Sequence, residues 1–301
     1  MRIATLFSGI GAPEQAAKRV YGDDFEIVFA CEFDKFARKS YLANCDINED
    51  HFHKDVNDLD ATRYRGNVDV LIGGSPCQSF SIAGLRKGTK DERGGLIYEY
   101  IRVVDECRPE VIVYENVKGI LSIDNGKTIK EFVQALRDIG YHCHYEVVNT
   151  KDYGVPQNRE RLFLVGFIAI DRYFRFSFGE TKQETITLCE ILESGNGFVK
   201  KWQNKKDGFI ISKISSTIRA SGTCSRKLPR VLLADGKEEK LTPRECLRLQ
   251  DFPDDFKIVV SDTQAYKQAG NSMSVNVVEM IFRQIEKTKE PSKNNLLGFC
   301  A

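Results

Sequence analysis

The chain has 301 residues, of which 42% are hydrophobic and 29% charged, with a formal net charge of +1. This is the composition of an ordinary globular protein, long enough for one large domain or a large one with a smaller companion. No apolar run approaches the roughly 20 residues that span a bilayer. The nine cysteines are odd in number and lack any Cys-x-x-Cys spacing, which argues against a disulfide framework and for free thiols in a reducing compartment.

Met1-Arg2-Ile3 leads straight into a strand, so no signal peptide is expected. Ile3 to Phe7 reads as that first strand, followed by the turn Ser8-Gly9-Ile10-Gly11 and a helix over Pro13 to Val20. A strand over Ile27 to Cys31 and a helix over Lys35 to Asn44 come next. Strands at Val68 to Ile72 and Val111 to Tyr114 flank a helix around Leu96 to Cys107. Ile129 to Ile139 reads as a helix, and His144 to Val148 and Arg161 to Phe167 read as strands. Repeated strand–helix units of this length predict a doubly wound α/β sheet. After about Thr181 the pattern breaks into irregular strand-like pieces such as Gly208 to Ser212. Between Val199 and Arg230 there are nine Lys or Arg and a single acid, Asp207, as expected of a surface that meets phosphates. Helical signals return at Thr242-Pro243-Arg244-Glu245, which has the form of an N-cap, a first-turn proline and an early acid. A long helix is expected over Met273 to Ile285, and the tail from Pro291 is expected to fray.

Two places carry chemistry. The glycines after the first strand let the backbone approach a ligand closely beside a helix N-terminus, but the full Gly-x-Gly-x-x-Gly of a dinucleotide fold is missing. Glu32, after the second strand, stands where a ribose diol would be bound, and Asp55 could accept from an adenine amino group. A glycine turn with two acids suits an adenosyl ligand without pyrophosphate better than NAD. The second place is Gly73-Gly74-Ser75-Pro76-Cys77, a thiol on a stiff turn at the end of a buried strand. If Val111 to Tyr114 is the neighbouring strand, Glu115 shares that crevice, and a nucleophile beside a proton donor is what covalent catalysis needs. The pairs His51/His53 and His142/His144 could each share one strand face, but no further ligands cluster near them, so no metal is expected.

Six segments in order resemble the motifs of the DNA (cytosine-5) methyltransferases. Phe7-Ser8-Gly9-Ile10-Gly11 is similar to that family's cofactor loop, Ser75-Pro76-Cys77-Gln78 to its nucleophile loop, and Glu115-Asn116-Val117 to its second catalytic motif. Gln157-Asn158-Arg159-Glu160-Arg161 resembles the arginine motif, Arg244 to Pro253 the motif that closes the recognition domain, and Gln268-Ala269-Gly270-Asn271-Ser272 the final motif. Thr5 departs from the pattern, which often has an acid there; slightly altered packing is expected, not loss of binding.

The resemblance implies a Rossmann-like S-adenosyl-L-methionine-dependent domain, a mixed and mostly parallel sheet with helices on both faces, over residues 1–180 and 266–301. A smaller irregular target-recognition domain would span 181–265, with DNA in the cleft between the lobes. It implies Cys77, Glu115, Arg159 and Arg161 as catalytic: Cys77 attacks C6 of a cytosine flipped out of the duplex, Glu115 protonates N3, and the arginines hold O2 and orient Glu115 or the thiolate. Cofactor contacts are expected from Phe7, Gly9, Gly11, Glu32, Phe33, Asp55, Pro76, Leu96, Asn271 and Ser272. DNA contacts are expected from Ser79, Ser81, Arg86, Lys87, Asn204, Thr217, Arg219 and Ser221. The polar stretch from Ser79 to Gly95 reads as a loop that closes over the base. Double-stranded DNA is the implied partner, with a cognate restriction endonuclease as functional companion, and the implied setting is a monomer in a bacterial or phage-infected cytoplasm. Two alternatives share the scaffold: a tRNA methyltransferase, whose branch tends to carry Pro-Pro-Cys where this chain has Ser75-Pro76-Cys77, and a catalytically dead DNA-binding regulator.

Overall fold

The computed structural model describes residues 1–76, 95–181, 186–193, 198–204, 208–218, 230–232 and 238–290. Its first half contains β1 (Arg2–Leu6), α1 (Ala12–Tyr21), β2 (Glu26–Cys31), α2 (Lys35–Asn44), β3 (Phe52–His53), β4 (Val70–Gly73), α3 (Gly95–Cys107), β5 (Val111–Val117), α4 (Lys127–Asp138) and β6 (His142–Asn149). There follow β7 (Gln157–Asn158), β8 (Glu160–Phe167), α5 (Ile170–Arg175), α6 (Leu188–Ile191), β9 (Phe198–Asn204), β10 (Gly208–Ser212), β11 (Ser215–Ser216), β12 (Arg230–Leu232) and β13 (Glu238–Lys240). The chain then forms α7 (Pro243–Arg248), α8 (Asp262–Asn271) and α9 (Val275–Lys287).

Seven strands make the central sheet in the order β3-β2-β1-β4-β5-β8-β6. The first five are parallel, and β8 runs antiparallel to both β5 and β6. Short β-branched runs buried on both faces are what a parallel sheet between two helical layers requires. Alternate residues separate cleanly. Ile3, Val70, Ile72, Val111 and Val113 pack with Ala16 of α1 and Val278 and Ile281 of α9. Ala4, Leu71, Ile112 and Tyr114 face the opposite layer, with Tyr100 of α3 and Phe132 of α4. The chain winds outward from β1 in one direction through β2 and β3, and in the other through β4 and β5. The switch point therefore falls between β1 and β4, and a ligand crevice is expected beyond the carboxyl ends of those strands.

Boundaries differ from the sequence expectations by a few residues. Strand β4 starts at Val70 and not Val68; just before it, the Asp69 N–H donates to the Arg2 carbonyl and its side chain accepts from the Arg2 backbone N–H and guanidinium. The last helix begins at Val275, after Ser274 as its N-cap. Helix α8, not anticipated, runs across position 265, where the sequence suggests a domain boundary. Thr242 and Glu245 form the capping box of α7, with Pro243 in the first turn as expected.

A second, antiparallel sheet of four strands, β10-β9-β12-β13, forms in the irregular region. Beside it, β11 pairs in parallel with β7, Ser215 opposite Gln157 and Ser216 opposite Asn158. That short pairing brings Thr217 and Ile218 against the arginine motif.

Candidate active site

A cleft of about 850 Å³ opens at the switch point, within the range of roughly 300–1,000 Å³ usual for small-molecule sites. One end is built by the turn after β1 and the end of β2. Phe7 there has φ +54°, a left-handed conformation uncommon for a residue with a side chain and a mark of a constrained site. The Ser8 N–H donates to the Cys31 carbonyl at 3.0 Å and the Gly9 N–H to Glu32 Oε2 at 2.8 Å. The Asp34 N–H donates to the other Glu32 oxygen at 2.7 Å. Glu32 is thus fixed by two backbone donors, and burial pushes its carboxyl above the usual range against their pull. Gly11, the N-cap of α1, has φ +91°, and a Cβ there would lie 2.5 Å from Cys45 Sγ. Its part is to let the turn form; it does not line the cleft.

The other end joins β4 to β5. A Cβ on Gly74 would lie 2.8 Å from the Glu115 carbonyl and 3.0 Å from Glu115 Oε2, so only glycine lets the turn after β4 come this near the acid. The turn is pinned to β5. Ser75 Oγ and Tyr114 Oη are 2.7 Å apart, and Asn116 Nδ2 donates to the Ser75 carbonyl and to Tyr114 Oη. Tyr114 and Asn116 were not singled out in the sequence, although both flank Glu115. Pro76 lines the cleft. Cys77, Ser79, Ser81, Arg86 and Lys87, and the loop they belong to, lie outside the described residues, as do Arg219 and Ser221.

Across the antiparallel pairing, Val117 faces Arg161 and Glu115 faces Phe163, so Glu115 and Arg161 are diagonal neighbours on one face. Arg161 Nε lies 3.1 Å from Glu115 Oε1. Arg159 is 2% exposed and reaches elsewhere. Its guanidinium donates to the carbonyls of Ile218, Gly270 and Ser272, the last at 2.6 Å. It therefore ties the segment after β11 to the floor of the cleft at the end of α8. Gln157 works beside it, donating to the Leu249 carbonyl and accepting from the Ile218 N–H.

Phe7, Gly9, Glu32, Pro76, Glu115, Arg159, Arg161, Thr217, Asn271 and Ser272 come together around this cleft. Thr217 Oγ1 donates to the Asn158 carbonyl at 2.7 Å. Three other expected contacts do not line it. Phe33 is 66% exposed with Lys54 over its ring. Asp55 caps the short turn that follows it, accepting from both nitrogens of Asn57. Leu96 packs against the core under the α3 face. Asn204 ends β9, opposite Gly208. The histidine pairs are engaged otherwise: His53 Nε2 meets Tyr64 Oη at 2.8 Å and His144 Nε2 the Tyr173 carbonyl at 2.9 Å. Among the described residues, no group of three or more His, Cys, Asp or Glu could hold a metal ion.

The model of the C-5 cytosine-specific DNA methylases matches residues 1–210 and 177–287. The chain belongs to this family. It is 35% identical over 321 residues to the Type II methyltransferase M.Bsp6I of Bacillus sp. (strain RFL6), covering 96% of this chain and 99% of that protein. It is 31% identical over 310 residues to M.HhaI of Haemophilus parahaemolyticus, covering 93% of each. The fold is shared with the Dnmt2 methyltransferase of S. pombe, at a TM-score of 0.73 and 22% identity over 97% of this chain and 100% of that one.

In this cytosine methylase, the proton chemistry of Glu115 is set by burial and by two arginines. Burial pushes its carboxyl above the usual range, while Arg161 and Arg159 pull it down without cancelling that effect. Arg161 engages Oε1, so Oε2 is turned toward Gly74 and the cleft. Asp34 and Lys267 also line the cleft, paired at 2.6 Å over 233 residues of sequence. Among the described residues, no helix is long and apolar enough to cross a membrane.

Proposed function

We propose that this methylase transfers a methyl group from S-adenosyl-L-methionine to C5 of a cytosine flipped out of duplex DNA, through a covalent bond from Cys77 to C6. The observation that carries the reading is Glu115. It is a buried carboxyl with raised proton affinity, held by Arg161 in a cleft that Pro76 lines one residue before Cys77 in the sequence.

The donor set fits the cofactor. The Glu32 carboxylate has acceptor capacity beyond the two N–H groups it already takes, which suits a ribose diol. The Gly9 turn leaves backbone at the cleft with no side chain in the way, and Pro76, Asn271 and Ser272 complete the wall. Phe33 and Asp55 do not line the cleft and stand outside this donor set. When bound, the cofactor supplies an electrophilic methyl group.

The protein's own part begins with the Cys77 thiolate, which adds to C6 and breaks the aromaticity of the ring. Protonated Glu115 donates to N3, so that electron density moves to C5. Arg161 holds the carboxyl in place and offers a cation for O2. After C5 is alkylated it gives up its proton to water, the C5–C6 double bond re-forms as the Cys77 thiolate leaves, and N3 returns its proton to Glu115. None of this is open to a stacked base, so the cytosine must leave the helix. Residues 181–265 would serve target recognition, with Thr217 and the basic residues around it facing DNA. Several relatives are named Type II methyltransferases, which supports a modification enzyme working beside a restriction endonuclease in the cytoplasm.

The test is tritium transfer from labelled S-adenosyl-L-methionine to unmethylated duplex DNA, with total tRNA as the second substrate and Cys77→Ala as control. Label at C5 of DNA cytosine with the native chain alone is the expected result. Label on tRNA instead would move the chain to an RNA substrate, and label on neither would remove the catalytic reading.

A further inference from the structure

Glu14 is a carboxyl that the mechanism does not use. It sits in the first turn of α1, a position usually open to water, yet it is 2% exposed. Its Oε1 accepts from Tyr41 Oη at 2.6 Å and from Thr5 Oγ1 at 2.8 Å. Thr5 Oγ1 is in turn 2.7 Å from Ser8 Oγ, and Ser8 Oγ accepts from the Cys31 N–H at 3.1 Å. One residue further, Gly9 donates to Glu32. A continuous polar chain thus runs from α2 through α1 and β1 to the end of β2, passing beneath the turn that lines the cleft. Glu14 and Tyr41 are the only members of that chain with no part in the turn or the strands.

We infer that Glu14 is a positioning residue for the cofactor turn, supplying from α1 the buried acceptor that orders Thr5 and Ser8 and so sets the Gly9 backbone and Glu32 for the cofactor. The inference rests on reading the cleft as the site of S-adenosyl-L-methionine. Its second support is Glu14 Oε2, which is buried and has no hydrogen-bond partner among the described residues; it lies on the side of Gly11, where an added Cβ would come within 3.5 Å of it. An ionised oxygen left bare in that position would be strongly unfavourable. A neutral carboxylic acid removes the buried charge, and burial pushes this group in that direction.

Calorimetric binding of S-adenosyl-L-methionine to the purified full chain tests this, with kcat and KM for methylation of duplex DNA measured in parallel. Glu14→Ala is expected to weaken cofactor binding about tenfold, the usual effect of removing one buried polar partner. KM for the cofactor should follow, while kcat at saturating cofactor moves much less. Glu14→Gln, which keeps the acceptor and replaces the acid O–H by an amide N–H, should bind as the native chain does. Native affinity in folded Glu14→Ala would overturn the inference. If Glu14→Ala does not fold, weak binding by folded Glu14→Gln overturns it as well. A native chain that binds no S-adenosyl-L-methionine would instead defeat the reading of the cleft.

Discussion

Arg161 Nε lies 3.1 Å from Glu115 Oε1, diagonally across the antiparallel pairing of β5 and β8. The contact exists because β8 enters the sheet in the opposite sense to its neighbour; a parallel strand there would set a different register. It fixes one oxygen of the acid and leaves the other toward the cleft. Arg161→Ala should lower kcat by about 10- to 100-fold, the equivalent of one charge-assisted hydrogen bond. Binding of S-adenosyl-L-methionine should be little affected. Single-turnover methylation and calorimetry on the same preparation separate the two; equal loss in both would mean that Arg161 supports the cleft as a whole.

Glu115 has to be protonated to donate to N3. Burial raises its proton affinity and the two arginines oppose that. The acid form is therefore present at low pH, and kcat should fall as pH rises through the raised value. Arg161→Ala removes an opposing cation, so this alkaline limb should move to higher pH even as the plateau drops. Glu115→Gln should erase the limb and reduce kcat by about 10²–10⁴-fold, the usual contribution of a positioned acid. A limb unchanged in Glu115→Gln would assign it to another group.

Arg159 acts differently from its neighbour two residues away. Its guanidinium spans carbonyls from Ile218, Gly270 and Ser272, joining the segment after β11 to the floor of the cleft. A lysine keeps the charge but not the planar fork, so it cannot serve all of these acceptors at once. Arg159→Lys should raise KM for DNA and for S-adenosyl-L-methionine together, unlike Arg161→Ala, which should act on kcat. Titrations of each substrate at saturation of the other would show whether both constants move.

Local pattern made the core of the fold legible. Ile3 to Phe7, Ile27 to Cys31 and Val111 to Tyr114 are short β-branched runs between turn signals, and each became a parallel strand. The family motifs brought Phe7, Glu115 and Arg161 to one cleft, and strand-end logic added Glu32. What could not be read was contact across long separations. Arg159 finds its carbonyl partners 59, 111 and 113 residues away, and Lys267 finds Asp34 at 233. Helix α8 is poor in apolar residues, with Gly270 next to its end, so periodicity did not announce it. The burial of Glu14 beside Tyr41 and Cys45 depends on how α2 returns over α1, which local pattern does not carry. Asp55 was placed by strand-end logic and Phe33 by the family resemblance, and neither lines the cleft wall.

Glu14 also makes a prediction about stability that does not depend on catalysis. Its proton affinity in the folded chain is raised, chiefly by burial, above the value of about 4.3 expected when unfolded. A raised acid stabilises the fold fully below that unfolded value, and the contribution is lost as pH rises through the folded one, since the unfolded chain then ionises more readily. Glu14→Gln has no proton to lose. The melting temperature of the variant minus that of the native chain should therefore grow steadily from about pH 5 upward, toward the folded value. The groups facing Glu14 are Tyr41 and Cys45, both pushed upward by burial, so they stay protonated below about pH 8.5 and leave the difference to Glu14 alone. Glu32 and Glu115 are raised as well, but they are common to both proteins and cancel in the subtraction. A difference that stays flat across this range would mean that Glu14 is ionised in the folded chain, with Thr5 and Tyr41 holding a carboxylate.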